Sequence, residues 1–77
     1  MNIASIKAKF IDAETRGNRC LADANEAHEA GRRATAERLY ERGQRWLDRA
    51  NELQERIWLA EINERQSSPE KEPQQQG

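Results

Sequence analysis

One cysteine, one histidine and no apolar run long enough to enter a membrane leave this 77-residue chain few chemistries to work with. A lone Cys20 excludes an intrachain disulfide and any cysteine-based zinc cage. The N-terminal stretch Met1 to Lys7 has no apolar segment of the signal-peptide kind, and no window approaches a membrane span, so the expectation is a cytoplasmic chain without a membrane partner. No Asn-X-Ser/Thr site occurs, and no glycine-rich loop of the kind that cradles phosphate. The charge is nearly balanced, with 13 basic against 14 acidic residues, which excludes a global pull toward nucleic acid or lipid. Apolar residues are scarce too. At 35% hydrophobic against 35% charged, with alanine at many of the apolar positions, one short chain has little area to bury.

What is present is a spacing. Ile3, Ile6, Phe10, Ala13, Gly17, Cys20, Ala24 and Ala27 recur at intervals of three and four, the signature of one helix face. The series loses phase around Gly31, since a single long helix would carry the stripe through position 38, which is Arg38. A second series then runs through Ala36, Tyr40, Gly43, Leu47 and Ala50, flanked by Leu39, Trp46, Leu53 and Ile57. The pattern predicts an all-α fold: two long antiparallel helices, about 3–30 and 34–65, forming an αα-hairpin over 1–65 with coiled-coil-like packing. Asn2 suits the N-cap of helix 1, and Gly31 suits the left-handed position just past its end, with His28 in the last turn. Helix 2 is supported by Glu41→Arg45, Glu52→Arg56 and Glu61→Arg65 at i,i+4. Ser67-Ser68-Pro69 closes it, and the polar composition of 66–77 predicts a disordered tail.

Folding about Gly31–Ala34 sets Phe10 opposite Glu55–Trp58, Ile3 and Ile6 opposite Leu59 and Ile62, and Tyr40 against Ala24 and Ala27. Gly17 and Cys20 fall near Trp46 and Leu47, where a glycine notch is expected to seat the indole. Small residues thus line the seam near the turn, and bulky ones gather at the open end. Ile57, Trp58, Leu59, Ala60 and Ile62 point in too many directions for one helix partner, and Ile11 and Leu21 lie beside the first stripe. Surplus apolar surface marks an interface, so Phe10, Trp46, Trp58, Leu59 and Ile62 are the candidate protein contacts. The occupant would be a second copy, giving a four-helix bundle, or another protein. In the plainer alternative, Trp58 and Ile62 merely cap the open end of their own hairpin.

Arg38, Arg42, Arg45, Arg49 and Arg56 form a stripe opposite the core arc of helix 2. Such a row could meet an acidic protein or phosphates. Glu41, Asp48 and Glu52 dilute it, and no aromatic residue is interleaved to stack bases. Dimeric hairpins of the plasmid Rop type bind paired RNA loops through a helix face, which keeps a nucleic-acid partner as the alternative.

No catalytic set can be assembled. His28-Glu29 begins like the His-Glu-x-x-His zinc motif, but Arg32 stands where the second ligand would be, and no metal or cofactor is expected. Cys20 sits among Ala and Gly with no histidine placed to act as its base, so a buried inert thiol is expected and the chain does not read as an enzyme.

The stretch Gly31-Arg-Arg-Ala-Thr-Ala36-Glu-Arg-Leu-Tyr40-Glu-Arg-Gly43 resembles the second half of a tetratricopeptide repeat, where a glycine turn is followed by small, aromatic and small residues at this spacing. Cys20, Ala24 and Ala27 would take the first-helix positions, of which Ala24 matches the family preference. The likeness covers about one repeat, and it implies a helical hairpin used for protein recognition. An adaptor, a co-chaperone or an inhibitor would fit, including a small accessory protein of a phage or plasmid.

Overall fold

In the computed structural model, residues 2–66 are described, and they form two helices, α1 (Ile3–Glu29) and α2 (Arg33–Gln66). The disordered tail and the Ser67-Ser68-Pro69 stop signal expected from the sequence lie outside the described residues, apart from Gln66, which closes α2. No helix among the described residues is long and apolar enough to cross a membrane.

The termini of α1 are set by local hydrogen bonds. Asn2 takes the N-cap in extended conformation, and its side-chain oxygen accepts from the Ala4 N–H at 2.8 Å, satisfying a donor the helix cannot. At the other end Gly31 adopts φ 81°, the left-handed region glycine enters without a Cβ penalty. The Arg32 N–H then donates to the Ala27 carbonyl at 2.8 Å and the Gly31 N–H to the His28 carbonyl at 3.0 Å, the paired bonds of a Schellman turn. That turn reverses the chain within three residues, so α2 returns along α1.

The seam repeats every seven residues. Ile3, Phe10, Gly17 and Ala24 occupy one position (a) on α1, with Ile6, Ala13, Cys20 and Ala27 at the next (d). On α2 the a positions are Ala36, Gly43, Ala50 and Ile57, and the d positions Leu39, Trp46, Leu53 and Ala60. Buried among these are Ile6, Ala13, Gly17, Ala24, Ala36, Gly43, Ala50 and Leu53, most of them Ala or Gly. Phe10, Trp46 and Ile57 pack against that core while half-buried. Among the described residues no large side chain is fully enclosed.

The closest approach is at Gly17 and Gly43. A Cβ on Gly17 would stand 2.7 Å from Cγ and Cδ2 of Leu47 and 3.2 Å from the Gly43 carbonyl oxygen. One on Gly43 would meet Leu21 Cδ2 at 2.9 Å, with Cys20 Cβ and the Gly17 carbonyl oxygen each at 3.1 Å. Leu47, not Trp46, therefore fills the notch expected to seat an indole. Residue 47 comes over Gly17 one turn beyond Gly43, while Trp46 packs against the core cluster with Arg16 over its ring.

None of the three i,i+4 pairs expected on α2 forms. Glu61 reaches across the open end to Lys7 at 3.4 Å, and Glu52 turns back to Arg49 at 3.5 Å. Both arrangements keep the carboxylate near a cation, and exposed pairs of this kind differ by only a few tenths of a kcal/mol.

Gly17→Leu should lower stability by about 1–3 kcal/mol through overpacking, exceeding the roughly 1 kcal/mol of helix propensity it adds. Thermal melts followed by helical circular dichroism at fixed protein concentration will read this. An unchanged or raised midpoint would mean that the two backbones do not meet there.

Candidate protein interface

A two-helix hairpin has two broad faces, one on each side of the seam. In an antiparallel pair the positions after d (e) of both helices share one side, and the positions before a (g) share the other. The Lys7–Glu61 pair joins two e positions and marks the first face. The Arg16 guanidinium lies 5.2 Å from the Trp46 ring centroid, joining g of α1 to d of α2, and marks the second.

The first face carries Ile11, Leu21, Tyr40, Leu47 and Trp58. Ile11 is 58% exposed, Trp58 57% and Tyr40 54%, while Leu21 and Leu47 are half-buried. Between them lie uncharged amides, Asn18 and Asn25 on α1 and Gln44, Asn51 and Gln54 on α2; Glu14 is the single charged residue in that stretch. Near the turn this face sinks into an open depression of about 890 Å³, with Leu21, Ala24, Ala36 and Tyr40 in its lining and the charged Arg33, Glu37 and Glu41 on its α2 wall. Tyr40 lines the depression together with the expected Ala24 and stays largely exposed, since alanines are too short to cover the ring.

The second face is arginine-rich. The stripe expected on α2, Arg38, Arg42, Arg45, Arg49 and Arg56, occupies c and g positions on this side, and Arg16 and Arg19 of α1 join it. These seven arginines face Asp12, Asp23, Glu26 and Glu52. Arg16 is held by Asp12 at 2.9 Å while it covers Trp46. The contribution of α1 escaped the sequence reading, because it depends on which side of the hairpin each helix turns toward its partner. The signal available beforehand was the g and c placement of Arg16 and Arg19 relative to the stripe.

The candidate contacts are distributed over both faces and the interior. Phe10 and Trp46 contribute to the hairpin's own core. Trp58 projects from the uncharged face, so it does not cap the open end. Leu59 is 53% exposed on the arginine side, and Ile62 is half-buried at the back of α2. Among the described residues no cluster of His, Cys, Asp or Glu has the form of a metal site. Cys20 is a free, half-buried thiol beside the glycine contact, and His28 stands on the wall of the depression.

Fold and surface together define an all-α helical hairpin with two chemically distinct faces. No protein-family model matches the chain, and no curated protein or solved structure shows significant similarity to it. The likeness to the tetratricopeptide repeat is confined to the turn end, since α2 alone has 34 residues, the length of a whole two-helix repeat.

Trp46→Ala should destabilise the hairpin by about 2 kcal/mol or more, because it empties a half-buried core position. Arg16→Ala should cost less than about 1 kcal/mol, the scale of an exposed cation–π contact and ion pair. Urea unfolding at fixed concentration separates the two; equal losses would place the energy in the arginine contact.

Proposed function

We propose that the chain is a small protein-interaction module that works by surface binding, as an adaptor, co-chaperone or inhibitor does. One observation supports this reading above the others: large apolar side chains stand exposed on a fold whose interior is mainly alanine and glycine. Isolated exposed residues are ordinary. Here Ile11, Tyr40 and Trp58 share one face whose middle stretch carries Glu14 as its single charge, with charged residues at either end, the composition of an interface centre and its rim. Trp58 is its principal anchor, and Leu59 offers a second apolar point on the arginine side, where an acidic partner would be steered.

Photo-crosslinking tests the reading. With p-benzoylphenylalanine replacing Trp58, the protein expressed in its own organism should form a discrete crosslinked species. The same group replacing Asp48, on the outer side of α2, should form none. Failure of position 58 to crosslink to anything, itself included, would end the proposal.

A second reading is favoured by the convergence of Arg16 and Arg19 with the stripe of α2: a Rop-like hairpin that grips structured RNA through its arginine face. It predicts a salt-dependent electrophoretic shift with RNA stem-loops that Arg42→Glu combined with Arg45→Glu abolishes. Absence of a shift for the unaltered chain at low salt would remove it.

A further inference from the structure

We infer that the uncharged face is occupied by a second copy of this chain, packed face to face and antiparallel about a two-fold axis crossing the middle of both helices. This rests on the interaction-module reading and specifies its partner.

The order of residues along the face carries the inference. A closed two-fold contact requires a surface complementary to itself, so that each residue meets the one equally distant from the axis. The midpoint of α1 (Ile3–Glu29) falls at Arg16, and that of α2 (Arg33–Gln66) falls between Arg49 and Ala50. Because Gly17 meets Leu47, these midpoints stand within about a helical turn of each other in height. About the α2 midpoint the face reads nearly the same in both directions: Tyr40, Gln44, Leu47, then Asn51, Gln54, Trp58. The two-fold sets Trp58 on the partner's Tyr40, Gln54 on the partner's Gln44 and Leu47 on the partner's Asn51. On α1 it sets Ile11 on the partner's Leu21 and Glu14 on the partner's Asn18. Aromatic meets aromatic at Trp58, aliphatic meets aliphatic at Ile11 and amide meets amide at Gln54; like charges come opposite only beyond this stretch, where Glu61, held by Lys7 of its own chain, faces the partner's Glu37 and Arg65 faces the partner's Arg33.

Shape agrees with chemistry. Trp58 and Ile11 project near the open end, and the 890 Å³ depression lies near the turn. Antiparallel stacking brings the projecting indole of each copy over the depression of the other, between Tyr40 and Ala36. The parallel arrangement would set depression over depression and leave a void, against the close packing of protein interiors. The axis also turns both arginine faces outward, so their repulsion is not buried.

The full-length chain should sediment as a dimer at micromolar concentration, and Trp58→Glu should shift it at least tenfold toward monomer, with Arg45→Glu leaving it unchanged. Because Trp58→Glu also puts a new charge on a thin-cored hairpin, a second measurement fixes the geometry. In a Cys20→Ser background, Ile11→Cys with Leu21→Cys should yield an interchain disulfide under mild oxidation. The two thiols are about 15 Å apart on their own helix, beyond the roughly 7 Å Cα limit of a disulfide, so the bond must join two copies. In the same background, Ile11→Cys with Trp58→Cys should not crosslink copies. A monomer throughout, a dimer indifferent to Trp58→Glu, or crosslinks of the Ile11–Trp58 type would each overturn the inference. Should the purified chain be monomeric while position 58 crosslinks to another protein in cells, the second copy is excluded and the interaction-module reading survives. Should position 58 crosslink to nothing, both fall.

Discussion

The close approach of Gly17 and Gly43 governs the rest of the molecule. With each glycine lying against the other's carbonyl oxygen, the helix backbones come so near that a Cβ on either would stand 3.1–3.2 Å from the facing oxygen and clash with Leu47 or Leu21. Large residues are consequently displaced from the seam, and alanine fills most of what remains. Leu47 and Leu21 lean into the notch from the flank, so their outer surfaces stay available. A tight seam and a thin core are one property seen twice. The same geometry that lets the helices meet leaves each of them with little apolar area to share with the other.

Stability must therefore come from outside the seam as well as from it. The ends contribute what local hydrogen bonding can: the Asn2 cap at the start of α1, the Schellman turn at Gly31, and the Lys7–Glu61 pair across the opening. These features fix the register and the reversal of the chain, but each is exposed and modest in energy. The larger reserve is the apolar surface on the flank. On the proposed reading function and stability share a source, because the face that leaves apolar surface uncovered is the one that would bind.

The two faces differ in what it costs to take them out of water. Amides interleaved with Ile11, Leu21, Tyr40, Leu47 and Trp58 can be taken out of water at low electrostatic cost, since almost no charge must be desolvated with them. The arginine face has the opposite character. Its guanidinium groups remain hydrated, with Arg16 laid over Trp46, one of the two aromatics packed against the core. If the uncharged face is closed by a second copy, the arginine face is displayed twice, in opposite directions, as the remaining surface for an acidic or phosphate-bearing partner.

The sequence by itself determined the two helices, their limits to within about two residues, and the turn. The three-four spacing, Asn2 and Gly31 are local signals, each readable from covalent geometry and hydrogen bonding without knowledge of the partner helix. It also showed a small-residue seam with surplus apolar residues near the end of α2. Tertiary structure alone decided which residue fills the glycine notch, which carboxylates pair, and which flank each side chain joins. Those outcomes depend on the register and relative rotation of two helices, where a shift of one residue turns a side chain by about 100°. That is why Leu47 and not Trp46 meets Gly17, why Glu61 leaves Arg65 for Lys7, and why Trp58 and Leu59, neighbours in the chain, belong to opposite faces.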